Sequence, residues 1–440
     1  MSNDEIASVR GADRIEAMDV LRGVALFGIL LMNITMFGLP ESYSDPTVYG
    51  GAEGINLWSW IIPQMAFEGT QRGMFSLLFG AGIILLTTRL EAAGRTDVAD
   101  IYFRRNLWLV GFGIVHSFIL LWLGEILFYY GVTALFLYAL RNMAPRRLIA
   151  FGAAGLILTA VWNYADTSHA LDLSKDNIQA EETLASGSVL PPDLADAQSE
   201  WEDYVSDWKP DQEKLEETVE TYKSGYFKIL AFQAPTNTHY QSWWLYRYFF
   251  DIASMMMFGM ALFKMGVLTL EKRTSFYALT ALIGYGIGLT INYFETIWII
   301  KNEFSVLSFL QAGISYDVGR LAITVGHLGA LLLFCKSGIL PWLRRSLAAV
   351  GRMALTNYVS HSIICAFIFY GFGFGLYGDL ERHQLYYVVF GIWLFQLIAS
   401  PIWLSRFRFG PLEWCWRALT YMRKPNLRHP IPKAPVAPSL

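Results

Sequence analysis

Apolar residues fall into runs of about 20, the length an α-helix needs to cross a bilayer. The runs lie near 18–39, 70–89, 104–123, 125–141, 146–164, 246–267, 275–300, 313–336, 352–374 and 385–405. The pattern predicts ten membrane helices. "NLWSWIIPQMAF" at 56–67 is too short to span, and its Trp58 and Trp60 suit a headgroup layer, so it reads as an interfacial helix leading into the second span. Lys and Arg recur at alternate ends of the runs, around 10–14, 89–105, 141–147, 272–273, 336–345 and after 406, whereas 40–55 and 123–125 hold none. That alternation puts both termini in the cytoplasm.

One segment breaks the pattern. Residues 165–244 carry sixteen Asp or Glu against five Lys and read as a large acidic extracytoplasmic loop, a solvated cap on the outer mouth. Within it, "EWEDYVSDWKPDQEKLEETVETYKSGYF" has helical spacing, with Trp201, Tyr204 and Trp208 on one side and an interruption at Pro210. The expected protein is therefore an all-α integral membrane protein with a five-helix half (1–164), the cap (165–244), a second five-helix half (245–424) and a cytoplasmic tail (425–440).

Composition agrees with lipid as the solvent: 54% of residues are hydrophobic and 16% charged, against about 25% charged in soluble domains. A net charge of −3, with basic residues only in short clusters, speaks against nucleic acid as a partner. Cys335, Cys365 and Cys415 are too scattered for a disulfide framework or a CxxC site, and no metal is expected. The first apolar run is long and lacks a small-residue cleavage site, so it reads as a membrane helix and not a removable signal.

Polar groups inside the runs carry the candidate chemistry. In "RIEAMDVLRGVALFGILLMN" at 14–33, Asp19, Arg22 and Asn33 share one helix face. Asn33 lies roughly 16 Å further along than Arg22 at 1.5 Å per residue. "HSFILLWLGEIL" sets His116 near Glu125 at an outer turn, a base with a carboxylate to fix its tautomer. Nearer the outer side stand Glu68 with Arg72, Asp251, and Asp317 with Arg320. The cytoplasmic half holds His327, Arg352, and Asn357 with His361 one turn apart. Each pair can equally serve as glue between helices. Their number over so many spans predicts a hydrated interior pocket reached from both faces.

"RIEAMDVLRG", "GEIL" after a histidine, "FGMALFKMG", "GRMALTNYVSHS" and "GPLEWCWRALTY" resemble the YeiB-like family of bacterial membrane proteins, whose C-terminal half is a domain of unknown function. The likeness spans nearly the whole chain outside 165–220. It implies a multi-pass protein of the bacterial inner membrane and names no activity. The first helix is more distantly similar to the heparan-α-glucosaminide N-acetyltransferase type, in Arg14, Asp19, Arg22 and Gly23. Related membrane acyltransferases end the spacing from that arginine in a catalytic histidine; here the position is Asn33.

The second resemblance implies transfer of an acyl group from cytoplasmic acyl-CoA, such as acetyl-CoA, to a glycan or lipid hydroxyl or amine outside. Arg14, Asp19, Arg22 and Arg352 would then hold the donor, His116 with Glu125 would supply the base, and Asn33 would donate to the developing oxyanion. Glu68, Arg72, Asp251, Asp317, Arg320, Asn357 and His361 would contact the acceptor, and a homodimer is implied by the wider superfamily. A small-solute transporter, for which inverted repeats and broken helices are wanted, stands as the alternative, with a non-catalytic lipid-binding protein as a third class.

Overall fold

A computed structural model describes residues 15–429, which leaves Arg14 outside the described residues. In chain order the helices are α1 (Glu16–Gly38), α2 (Gly54–Ala66), α3 (Thr70–Ala92), α4 (Val98–Phe118), α5 (Leu127–Leu137) and α6 (Pro145–Ala185). Then come α7 (Pro192–Trp208), α8 (Gln212–Tyr222), α9 (Tyr226–Ser242), α10 (Leu245–Lys264) and α11 (Thr274–Lys301). The series closes with α12 (Val306–Ser337), α13 (Pro341–Arg352), α14 (Ala354–Phe369), α15 (Arg382–Arg406) and α16 (Pro411–Tyr421). Apart from one isolated bridge between Phe407 and Arg428, the described residues form no β-structure.

Six helical stretches among them are long and apolar enough to cross a membrane: Glu16–Gly38, Gly54–Ala92, Pro145–Ala185, Thr274–Lys301, Val306–Ser337 and Arg382–Arg406. Leu127–Leu140 and Ala354–Phe369 are apolar but shorter. The apolar stretch of α1 is 72% buried, that of α11 17% and that of α6 11%. A helix apolar all round and enclosed is a core element, while apolar side chains turned outward on α6 and α11 need an apolar solvent. So α1 is the axis of the bundle.

Two helix crossings need glycine. A methyl on Gly351 of α13 would sit 1.9 Å from the Asp19 carbonyl oxygen of α1, and one on Gly23 2.3 Å from that of Leu347. Between α3 and α10, a methyl on Gly80 would meet the Met256 oxygen at 1.9 Å and one on Gly259 the Leu77 oxygen at 1.7 Å. Backbones touch there because no Cβ intervenes. The two crossings pin α13 and α10 to the two helices that line the interior.

Three elements differ from the sequence pattern. The helix expected at 146–164 runs on unbroken to Ala185, carrying the first part of the acidic segment with it. The run at 352–374 begins with the end of α13, and α14 starts afresh at Ala354 after a break at Met353. The interruption at Pro210 does separate α7 from α8. Trp201, Tyr204 and Trp208 share a face that packs with Ala170, Val306 and Leu310 of α6 and α12.

Candidate functional site

Two cavities enter the bundle from opposite ends. Along α1, residues 15–22 line one and residues 29–39 the other; along α3, residues 75–90 and 71–72 divide in the same way. The basic cavity, about 320 Å³, is walled by Arg22, Arg89, Arg105, Arg352 and Arg417 against Asp19 and Glu413. The capped cavity, about 760 Å³, reaches the α7 end at Asp207 and Trp208. Ile126 lines both, so the α4–α5 turn is the septum between them. Asp19 and Arg22 thus belong to one cavity and Asn33 of the same helix face to the other.

The septum is built by a tight turn. After Phe118 the chain reverses, with Leu121 in the left-handed region (φ 56°), and returns as α5. Close packing of Gly113 on Phe128 holds the two arms together. The turn brings Glu125 to His116: Glu125 Oε2 contacts His116 Nδ1, and Glu125 Oε1 accepts the Leu127 N–H. On its far side, His116 Nε2 meets Ser362 Oγ of α14 at 2.7 Å. A carboxylate at Nδ1 assigns the proton to that nitrogen, which leaves Nε2 to accept the Ser362 hydroxyl proton. The Tyr358 hydroxyl accepts from Trp122 Nε1 at 3.1 Å and donates to the Gly124 carbonyl at 3.2 Å, closing the turn against α14.

The two residues differ in their access to the cavities. Glu125 lines the capped cavity, whereas His116, 1% exposed, stands behind it and lines neither. Glu125 thus stands between the capped cavity and the imidazole, which contacts it from behind. Asn33 lines the same cavity with a half-buried amide that makes no hydrogen bond among the described residues, so it is open to a ligand oxygen.

The other polar residues form two groups. Arg320 grips Asp251 with both Nη atoms, at 2.7 and 3.1 Å, and reaches Asp317 at 3.1 Å. Arg72 stands beside Asp251 at 3.7 Å. The expected Glu68–Arg72 pair does not form, because Gly69 at φ 65° starts a new helix between them. Glu68 instead accepts from Tyr43 at 2.7 Å and Tyr316 at 3.2 Å. Burial and the Glu68 charge hold the Tyr43 hydroxyl well above the usual phenol range, so it stays a donor. In the second group Asn357 bonds Ser400 at 3.1 Å, and His361 bonds Gln396 at 3.1 Å, tying α14 to α15 away from both cavities. His327 likewise bridges Tyr285 and the Ala66 carbonyl.

Sequence reasoning missed Ser362, and the walls Arg89, Arg105, Arg417 and Glu413. Arg105 lies over the Trp416 ring at 3.6 Å, and Glu413 accepts the Leu355 and Thr356 N–H groups at 2.7 and 3.1 Å. Both contacts fasten α16 beneath the basic cavity, and "GPLEWCWRALTY" was the signal that pointed to that helix.

Comparison with known proteins gives a family without a chemistry. The family model described as "Protein of unknown function (DUF418)" matches residues 262–423. The chain is 30% identical over 426 residues to "Uncharacterized protein YeiB" of Escherichia coli (strain K12), covering 93% of this chain and 96% of that one. It is 28% identical over 431 residues to "Uncharacterized protein YxaH" of Bacillus subtilis (strain 168), covering 93% and 95%. No solved structure matches.

Proposed function

Because the chain belongs to the YeiB-like family, whose names state no activity, we propose from the site that it is a transmembrane acyltransferase of the bacterial cytoplasmic membrane. It takes an acyl group, acetyl in the simplest case, from cytoplasmic acyl-CoA and passes it to a hydroxyl or amine of a glycan or lipid outside. In this reading ten helices cross the bilayer, both termini are cytoplasmic and residues 165–244 lie outside. The observation that carries the reading is the pair of cavities that share Ile126, one walled by five arginines and the other holding Glu125.

Arginine forks match the phosphates of a CoA, and the basic cavity offers them on four helices and the α13 end. The thioester would then lie at the septum. Glu125 removes the acceptor proton as the acceptor oxygen or nitrogen forms its bond to the thioester carbon. The Asn33 amide donates to the carbonyl oxygen as it gains charge. The C–S bond breaks, and the proton held by Glu125 passes to the leaving thiolate, so that free CoA and acylated acceptor are the products.

The test is consumption of radiolabelled acetyl-CoA by the full chain in liposomes. Label should enter the lipid or added-glycan fraction, and Glu125→Gln should lower that rate by about 100-fold or more while CoA binding persists. A parent protein that neither binds nor consumes acyl-CoA would overturn the reading and leave the two cavities to solute transport.

A further inference from the structure

Arg72 is built differently from the other charged groups of the capped cavity. None of its five N–H donors makes a hydrogen bond among the described residues, and its Nε is buried without a partner. The nearest carboxylate, Asp251, is 3.7 Å away and already has both oxygens on Arg320. That distance fixes the guanidinium by charge without using its donors. Tyr248 supports it at 5.4 Å, and 34% of the side chain is open. It faces a cavity of about 760 Å³.

Four of the five carboxylates that line the cavity have a partner, while the fifth, Glu41, is exposed and makes no hydrogen bond or ion pair among the described residues. Asp45 meets Lys209 at 3.0 Å, Asp207 meets Lys214 at 3.9 Å, and Glu68 and Glu125 hold the tyrosine and histidine partners described above. Except at the exposed Glu41, a cationic ligand would have to displace one of these partners. An anion finds a planar fork with its donors unmet, one of which, Nε, is buried, where an unpaired donor is costly. Trp208 and Trp244 add aromatic faces with polar edges, which suit the two-sided surface of a pyranose.

Resting on the acyltransferase reading, we infer that the acceptor carries one oxyanion, a carboxylate or a phosphate, on a hydroxylated body, and that Arg72 is its anchor. The oxyanion docks on Arg72 while a hydroxyl of the same molecule faces Glu125. A soluble acidic sugar and a phosphate-headed lipid both offer this chemistry.

Binding without any acyl donor tests it. Calorimetric titration of the full chain in detergent compares glucuronate, glucose 1-phosphate, glucose and glucosamine. Incorporation into nanodiscs of phosphatidylglycerol or of phosphatidylcholine adds the lipid source, read as competition with glucuronate. The expected result is that glucuronate or glucose 1-phosphate binds at least tenfold tighter than glucose. Competition by phosphatidylglycerol alone would assign the same site to a lipid headgroup. Arg72→Gln should remove the preference, and Arg72→Lys should restore part of it. The probe comparison on the unsubstituted chain stands even if a variant does not fold. Equal binding of glucose and glucuronate, or a preference for glucosamine, overturns the inference. A protein that prefers glucuronate yet consumes no acyl-CoA overturns only the acyltransferase reading. One that consumes acyl-CoA without preferring an anion overturns only this inference.

Discussion

Gly351→Ala tests whether the backbone contact between α1 and α13 sets the basic cavity. The added methyl would lie 1.9 Å from the Asp19 carbonyl oxygen and 2.9 Å from the Gly23 nitrogen. Real Cβ contacts do not fall below 3.0 Å, so the two helices must part by about 1 Å at the crossing. Overpacking of this kind costs about 1–3 kcal/mol, offset by up to about 1 kcal/mol of helix propensity gained over glycine. The net loss expected is on the order of 1–2 kcal/mol. Function should suffer more than stability. Asp19 and Arg22 stand on one side of the crossing and Arg352 on the other, all of them lining the basic cavity. A misplacement of about 1 Å in a clamp can cost up to about 100-fold. Gly286→Ala in α11 is the control, since nothing lies within 4 Å of a methyl there. Melting in one detergent and CoA titration on both variants give the answer. A Gly351→Ala protein that melts with the Gly286→Ala protein and binds CoA as the parent does would refute the reasoning.

Three further outcomes follow from the hydrogen bonds and the cavity linings. Ser362→Ala leaves His116 Nε2 buried without its 2.7 Å partner, which should lower stability by about 1–3 kcal/mol and slow transfer. Because Ser362 lines neither cavity, mass spectrometry after incubation of the parent with acetyl-CoA should find no acetyl group on Ser362; an adduct there would make the serine a nucleophile. Glu413→Ala removes a carboxylate that caps the start of α14 from α16, with bonds of 2.7 and 3.1 Å to backbone N–H groups and 2.5 Å from the Thr356 hydroxyl. Thermal melting should register a loss of about 1–2 kcal/mol, with Glu413→Gln losing less, and equal melting of both variants and parent would exclude the cap.

What the sequence made legible was where apolar side chains end, and that is a different boundary from where helices end. Nothing between Leu156 and Ala185 is Gly or Pro, so α6 continues past its apolar part and stops only where Gly187 and Pro191 approach. α13 carries Arg344, Arg345 and Arg352 on a short helix, and hydropathy counts such residues only as loop charge. The Glu68–Arg72 spacing presumed one helix, and the left-handed Gly69 falsifies that premise while leaving both residues at the cavity.

The site shows the same division. His116 and Glu125 are nine positions apart across one turn, so local sequence could pair them; Ser362 is 246 positions from His116 and joins only when α14 packs behind α4. Helical periodicity correctly put Asp19, Arg22 and Asn33 on one face, but a face about 16 Å long can open into two chambers, and periodicity carries no information about a septum. Arg89 sits in the last turn of α3, where a basic residue is favoured for orientation alone, whereas Arg105 and Arg417 stand inside α4 and α16. The bias that favours Arg89 at its helix end also supplies part of the positive wall of the basic cavity. A count of charges per loop therefore cannot separate the two roles, and they part only in space, where α1, α3, α4, α13 and α16 turn those arginines toward one another.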